Sequence, residues 1–237
     1  MILLGGNKIT ADMMTITGGS SAFGAERCIN QIAEEVTQFN DNIVIDFGSA
    51  VDITSIAVVN ASTNMTIEAN ATDSWGAPSY SATLDDIPGS TCRIDIPSST
   101  QSYRYWRLKS AGLAYVGYLY LGEYTLMPGR KFGDLPSLAR IDAKTKTVGG
   151  GTLVKPGYTN KDLKGKFTSI DDDELSTLRT YWSNNGELPA IMVPFEDHDQ
   201  ATLDEVYTPF YCNPMFDFGP RSAKDVNSVT AEFVETK

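Results

Sequence analysis

The sequence predicts a mainly β chain in two parts, a β-sandwich of the jelly-roll kind over residues 1–128 and an α+β domain of antiparallel strands with one helix over 129–237. Three observations predict it. The first is the pair of stretches Tyr103-Arg104-Tyr105-Trp106-Arg107-Leu108 and Val116-Gly117-Tyr118-Leu119-Tyr120-Leu121-Gly122-Glu123-Tyr124. Their aromatic and aliphatic side chains alternate with a period of two, which fits strands buried on one or both faces and not helices. The second is the run of earlier strand candidates, Ile43–Gly48, Ile53–Val59 and Met65–Ala69, spaced by Gly, Pro, Asn and Ser. The third is the break at Met127-Pro128-Gly129-Arg130, where a Pro-Gly pair ends the aromatic strands.

Beyond that break, residues 131–166 are more basic and rich in turn formers. Lys144-Thr145-Lys146-Thr147-Val148 followed by Gly149, Gly150 and Gly151 reads as a hairpin or flexible loop. No helix follows these glycines at phosphate-loop spacing, so a strand connection explains them better than a phosphate cradle.

The strongest helix signal starts at Asp171. That residue can cap a helix, Glu174 lies three positions on as a capping box requires, and Asp172 and Asp173 oppose the positive end of the helix dipole. Leu175, Leu178 and Trp182 form one apolar stripe, and Gly186 supplies a left-handed stop. Burying such a stripe contributes roughly 1.5–3 kcal/mol per large side chain, so the helix must lie on a sheet. Lys164–Ser169, Leu188–Pro194 and Val226–Val234 are the strands expected for it. In the last, Val229, Ala231 and Phe233 share one face.

The segment Ala25–Phe39 reads two ways. Ile29, Ile32, Val36 and Phe39 recur at helical spacing, and Glu34 and Glu35 are compatible with a helix.

Composition bounds the class. Hydrophobic residues make up 41% and charged residues 21%, so a packed core is available. A net charge of −11 repels phosphate backbones and anionic headgroups, so neither nucleic acid nor a membrane is an expected partner. Cys28, Cys92 and Cys212 are odd in number and widely separated, which supports neither a disulfide framework nor a zinc site; buried thiols are expected. The N-terminal Met1–Gly6 has no basic flank and too short an apolar run for a signal peptide, so synthesis in a reducing cytoplasm is expected.

Several motifs then point to a family. Ala25-Glu26, Thr37-Gln38-Phe39 and Ile43-Val44-Ile45-Asp46-Phe47-Gly48-Ser49 resemble the opening of discoidin-like, galactose-binding-like β-sandwiches. Arg104-Tyr105-Trp106-Arg107-Leu108 resembles a later strand of that family, and Ile56–Asn60 and Thr66–Asn70 resemble two strands between. The resemblance covers about the first half of the chain, and it implies that Ala25–Phe39 is a loop with a short helical turn. Tyr120–Tyr124 running into Met127–Arg130, then Leu175–Trp182, Gly186, Pro189–Phe195 and Val229–Glu235, resemble bacteriophage virion proteins that join this sandwich to a tail-associated domain. That resemblance implies a structural component of a tail, tail tip or baseplate. Its partners would be other virion proteins and copies of itself in a ring.

No residue set supports catalysis, a cofactor or a metal. His198 lies among Glu196, Asp197 and Asp199, but adjacent residues seldom converge on one ion, and a solvated turn explains them. As the only histidine it would also have to serve any Ser-His-Asp triad, and no Gly-x-Ser-x-Gly elbow is present. Asp171–Asp173 lack the glycine and distal glutamate of a calcium loop. Asp85, Asp86 and Asp95 offer carboxylates for glycoside hydrolysis, although acid pairs arise by chance in an acidic chain. The Asn-x-Ser/Thr triplets at Asn60, Asn64 and Asn70 read as strand ends and turns.

Aromatic side chains raise one further possibility. Trp75, in Asp73-Ser74-Trp75-Gly76-Ala77-Pro78, and Tyr80 are the candidate glycan contacts; packing is the expected role of Tyr103, Tyr105, Tyr115, Tyr118 and Tyr120. Tyr105 and Trp106 project to opposite faces of their strand, so one of them belongs in the core. The function expected is therefore a non-enzymatic virion component assembling through ring-forming contacts, resident in the tail after synthesis in the host cytoplasm. The alternative is a carbohydrate-binding module for host-surface recognition.

Overall fold

A computed structural model of the chain describes residues 2–17, 24–87, 90–127, 137–146, 152–186, 188–193, 209–218 and 227–235. Among the described residues the fold is mainly β, with one α-helix and antiparallel pairing between the strands. It is layered. A five-stranded sheet has the order β2 (Met14–Thr17), β4 (Asn42–Ile53), β9 (Gln101–Lys109), β6 (Met65–Asn70), β7 (Tyr80–Leu84). A three-stranded sheet, in the order β11 (Tyr118–Gly122), β5 (Ser55–Val59), β8 (Cys92–Asp95), faces it, together with the pair β10 (Ala114–Val116) and β3 (Thr37–Phe39). Ile43, Ile45, Ile56, Val58, Ile67, Trp106, Leu108, Leu119 and Leu121 fill the space between them.

A seven-stranded sheet covers the other side of the three-stranded one. Its order is β12 (Tyr124–Leu126), β1 (Ile2–Leu4), β15 (Ala190–Val193), β16 (Phe210–Phe218), β17 (Asn227–Glu235), β14 (Thr152–Ile170), β13 (Ser137–Lys146). Strand alternation assigns the faces. Ile2, Leu4, Ile191, Val193 and Tyr211 meet Ala57, Val59, Cys92, Ile94, Tyr118 and Tyr120. Leu3, Met192, Phe210, Cys212, Val229, Ala231 and Phe233 point the opposite way, toward the helix α1 (Asp172–Asn185). The continuous apolar runs of β1, β5, β11 and β15 thus have one cause: each lies between two packed layers.

The seven-stranded sheet takes strands from both sides of residue 128. There β1 lies between β12 on one edge and β15 on the other, pairing antiparallel with both. The stretch Val116–Tyr124 likewise divides among β10, β11 and β12, which belong to three different sheets. Ile53 closes β4, and β5 begins only at Ser55.

The helix has the expected start. Asp171 accepts from the Glu174 N–H at 2.8 Å, and the Glu174 carboxylate accepts from the Asp171 N–H at 3.1 Å. Gly186 closes it with φ +58°, its N–H donating to the Trp182 carbonyl. The buried stripe is different: Leu178 and Tyr181 are buried, while Leu175 and Trp182 are half-buried. Trp182 instead meets Phe216 edge-on, at 5.8 Å between ring centres.

Ala25–Phe39 is not a helix. A short 3-10 turn spans Ala25–Ile29, and β3 begins at Thr37. The Thr37 hydroxyl accepts from the Cys28 N–H at 3.0 Å and donates to the Gly24 carbonyl at 2.8 Å, drawing both ends of the segment together. Gln31 has φ +65°, and Ile32, which helical periodicity would bury, is 51% exposed. The loop with a helical turn is what the structure contains.

The remaining strand expectations are met within longer elements. Lys164–Ser169 lies inside β14, Leu188–Pro194 contributes β15, and Val226–Val234 corresponds to β17. Strand pairing joins Lys146 to Thr152, bracketing the glycines; residues 147–151, like Glu196–Asp199 with His198, lie outside the described residues. All three cysteines are buried thiols. Burial, above all, pushes the Cys28 thiol up to about 12. Among the described residues no helix is long and apolar enough to cross a membrane.

Candidate functional site

The site is built on the outer face of the five-stranded sheet. In β9 Trp106 and Leu108 point inward and are fully buried, which sends Tyr105 and Arg107 outward. Register aligns Val44, Arg107 and Glu68 in one row across three strands, and Asp46, Tyr105 and Asn70 in the row two residues along. The Arg107 guanidinium donates through Nε to Glu68 Oε2 at 2.8 Å and makes a second contact with the same oxygen. Both side chains are mostly buried, with 13% and 9% of their surface accessible.

The loop joining β6 to β7 lays Trp75 over this pair, with the Arg107 guanidinium carbon 4.4 Å from the indole centre. Asn70 organises the loop: its amide donates to the Ser74 carbonyl at 2.6 Å, and its Oδ1 accepts from the Ala71 N–H at 2.9 Å and the Ser79 hydroxyl at 3.0 Å. The Trp75 Nε1–H donates to Asp73 Oδ1 at 2.7 Å. Glu68, Arg107, Trp75 and Asp73 therefore form a chain in which each member orients the next. A guanidinium against an indole face adds cation–π attraction to the packing.

A second ion pair lies beside it. Arg104 donates to Asp46 through Nε at 2.7 Å and through a terminal nitrogen at 2.8 Å, a bidentate fork. Asp46 also accepts from the Gly48 N–H at 2.7 Å, and Gly48 has φ +74°. The Arg104 hydrogen bonds, with that backbone N–H, hold the Asp46 carboxyl at about 2. The face thus presents an aromatic ring, two arginines already neutralised by carboxylates, and exposed Ser81 and Lys109.

The two candidate glycan contacts do not meet. Trp75 is half-buried on the outer face. Tyr80 pairs with Ala69 in register, and Ala69 is core, so Tyr80 projects to the inner side of the sheet. Its ring sits 5.8 Å from that of Trp106, and its hydroxyl donates to Asp95. Burial first, and then Asp95, push that hydroxyl's pKa upward. The period of two, which places the core so well, is what separates these residues.

The acid candidates are dispersed too. Asp86 pairs with Arg93 at 3.1 Å, Asp85 accepts from the Asn64 amide at 3.3 Å, and Asp95 is taken by Tyr80. Among the described residues no group of three His, Cys, Asp or Glu side chains is placed to hold a metal. Asn60 adopts φ +53° and donates to the Ala33 carbonyl at 2.8 Å, a turn role. Of Tyr105 and Trp106, the core member is Trp106.

A further feature involves neither Trp75 nor Tyr80. A cleft of about 410 Å³ runs between α1 and the segment after β1, lined by Gly5, Gly6 and Lys8 on one wall and by Thr180, Asn184 and Asn185 on the other. Its signal in the sequence is a pair of i, i+4 rows, Ser176-Thr180-Asn184 and Thr177-Tyr181-Asn185, which lie side by side on the helix.

No family model matches the chain, and no curated protein matches it. Among solved structures, a mutant of the lectin binding domain of Lectinolysin complexed with Lewis b is similar at 10% identity and a TM-score of 0.39, covering 49% of this chain and 97% of that one. CpGH89CBM32-6 produced by Clostridium perfringens is similar at 12% identity and a TM-score of 0.36, covering 50% of this chain and 99% of that one. Scores this low establish neither a shared ligand nor a common family.

Proposed function

We propose that the chain is a non-enzymatic binding module that takes a carbohydrate on the outer face of its five-stranded sheet, around Trp75. The observation that carries this reading is the fixed indole: Asp73 holds its Nε1–H at 2.7 Å, and Arg107, itself locked by Glu68, supports the ring. A sugar ring has an apolar C–H face and a rim of hydroxyls. It matches a rigid aromatic ring flanked by planar polar groups, because stacking takes the first and directed hydrogen bonds take the second. Pre-ordering the ring by neighbours lowers the entropic cost of binding.

A glycan array followed by calorimetry tests it. Trp75→Ala is expected to weaken binding by more than about tenfold, the equivalent of ~1.4 kcal/mol, while Tyr80→Phe leaves affinity unchanged. An array without a ligand, or a Trp75→Ala protein that binds normally, removes the reading.

A second reading is a structural component that assembles with copies of itself. One observation favours it: among the described residues β12 pairs only with β1, at the margin of the seven-stranded sheet, and its Leu126 is 50% exposed. An unpaired strand margin invites pairing with another subunit. Light scattering that finds only monomer at every concentration counts against it.

A further inference from the structure

We propose that the cleft beside α1 is a second binding site, one that takes a neutral, hydroxyl-rich molecule the size of one or two sugar residues. Its volume of about 410 Å³ falls within the ~300–1,000 Å³ of small-molecule sites. The inference does not rest on the Trp75 reading, because no residue is shared between the two places.

The walls are held by specific contacts. On one side Lys8 donates to the Asp52 carbonyl at 2.9 Å and pairs with Glu123. On the other, the Asn185 amide donates to the Tyr181 carbonyl at 3.0 Å and Thr177 donates to the Asp173 carbonyl at 3.0 Å. Gly5 and Gly6 keep the first wall bare. A Cβ on Gly5 would lie 2.2 Å from the Tyr181 hydroxyl, and Gly6 has φ +82°, where a side chain is strained.

Two observations point to a ligand. Tyr181 is only 4% exposed and is one of the residues lining the cleft, and its buried hydroxyl has no hydrogen-bond partner among the described residues. Buried polar groups are nearly always paired, so an orphan hydroxyl on a residue that lines a polar cleft, tucked beneath Gly5 of the opposite wall, marks a place where a small local shift would admit a partner. With it, Ser176, Thr180 and Asn184 line the cleft without a side-chain hydrogen bond among the described residues.

The chemistry of the lining selects the class. Among the described residues Lys8 and Glu123 are the only charged members of the lining, and they neutralise each other, so among these residues neither an anion nor a cation finds an uncompensated partner. Hydroxyls and amides both donate and accept, the complement of a polyol rim.

Side-chain and backbone amide spectra of the full chain, titrated separately with methyl glucoside, mannitol and sodium acetate, test the inference. Saturable shifts at Asn184 and Asn185 with methyl glucoside or mannitol, and none with acetate, are expected. Asn184→Ala and Thr180→Ala, both at exposed helix positions, should each weaken that binding by about tenfold, while Trp75→Ala leaves it intact. No saturable shift at α1, an equal response to acetate, persistence in both helix variants, or loss with Trp75→Ala overturns the proposal.

Discussion

The three-stranded and five-stranded sheets are neighbours with opposite surroundings. The first packs on both faces, Ile56, Val58, Leu119 and Leu121 against the sandwich core and Ala57, Val59, Tyr118 and Tyr120 against the seven-stranded sheet. The second packs on one face and turns Arg107, Glu68, Tyr105 and Asp46 outward. The contrast teaches where function can reside. A doubly covered sheet spends every side chain on cohesion and fuses the two halves of the chain. A singly covered sheet has a free row on which polar groups can be ordered.

The cohesion is visible in contacts that cross between the layers. Tyr118 and Tyr211 rings lie 5.4 Å apart, the Tyr211 hydroxyl donates to the Gln31 carbonyl at 2.7 Å, and the Tyr120 hydroxyl donates to the Glu123 and Gly5 carbonyls at 2.7 and 3.2 Å. Tyr120→Ala therefore breaks the comparison most directly. Losing a fully buried aromatic should cost about 3–5 kcal/mol, and urea unfolding should remain a single transition reported alike by fluorescence and circular dichroism. Two separated transitions would mean that the halves fold independently.

On the open sheet the largest effect is expected from Glu68→Gln. Breaking a mostly buried ion pair should cost about 3 kcal/mol, and the freed guanidinium should change the Trp75 emission, read as the difference from a Trp75→Phe background. An unchanged difference spectrum would show that Arg107 does not position the indole.

The smallest effect concerns Asp46, at the rim of the same face. Its carboxyl is held at about 2 by Arg104 and, after it, the Gly48 N–H, below the ordinary range. The sign follows from that direction: the pair contributes in full above the ordinary carboxylate range and is lost as pH falls through about 2. Carboxyl titration followed by NMR should give that midpoint, and Arg104→Ala should raise it toward the ordinary carboxylate range while the Gly48 N–H still holds it below. A midpoint that does not move would detach Arg104 from the face.

Much of this architecture is legible in residues alone. The alternation in Tyr103–Leu108 identifies a strand with Trp106 inside, and Asp171 with Glu174 sets the helix start, because both signals act within a few residues. What escapes is non-local. Nothing near Ile2–Leu4 tells that it will sit between Tyr124–Leu126 and Ala190–Val193. Helical spacing in Ala25–Phe39 loses to Thr37, whose hydroxyl ties Gly24 to Cys28 through the fold. Trp75 was visible as a loop aromatic, but its partner Arg107 is contributed by a strand far along the chain. The polar rows of α1 become one wall of a cleft only because Gly5 and Gly6 supply the other.

By itself, the amino-acid order determined that segments such as Ile43–Gly48, Met65–Ala69 and Tyr103–Leu108 are strands, that a helix starts after Asp171, and which side chains are too apolar to leave in water, since propensity and periodicity are properties of short windows. Only the tertiary structure decided that β1 and β12 join the far sheet, that Tyr80 and Trp75 part to opposite faces, and that Arg107 underlies the indole. Those outcomes depend on register and layer stacking, where the free energy of burying one surface is settled by whichever distant surface fits against it.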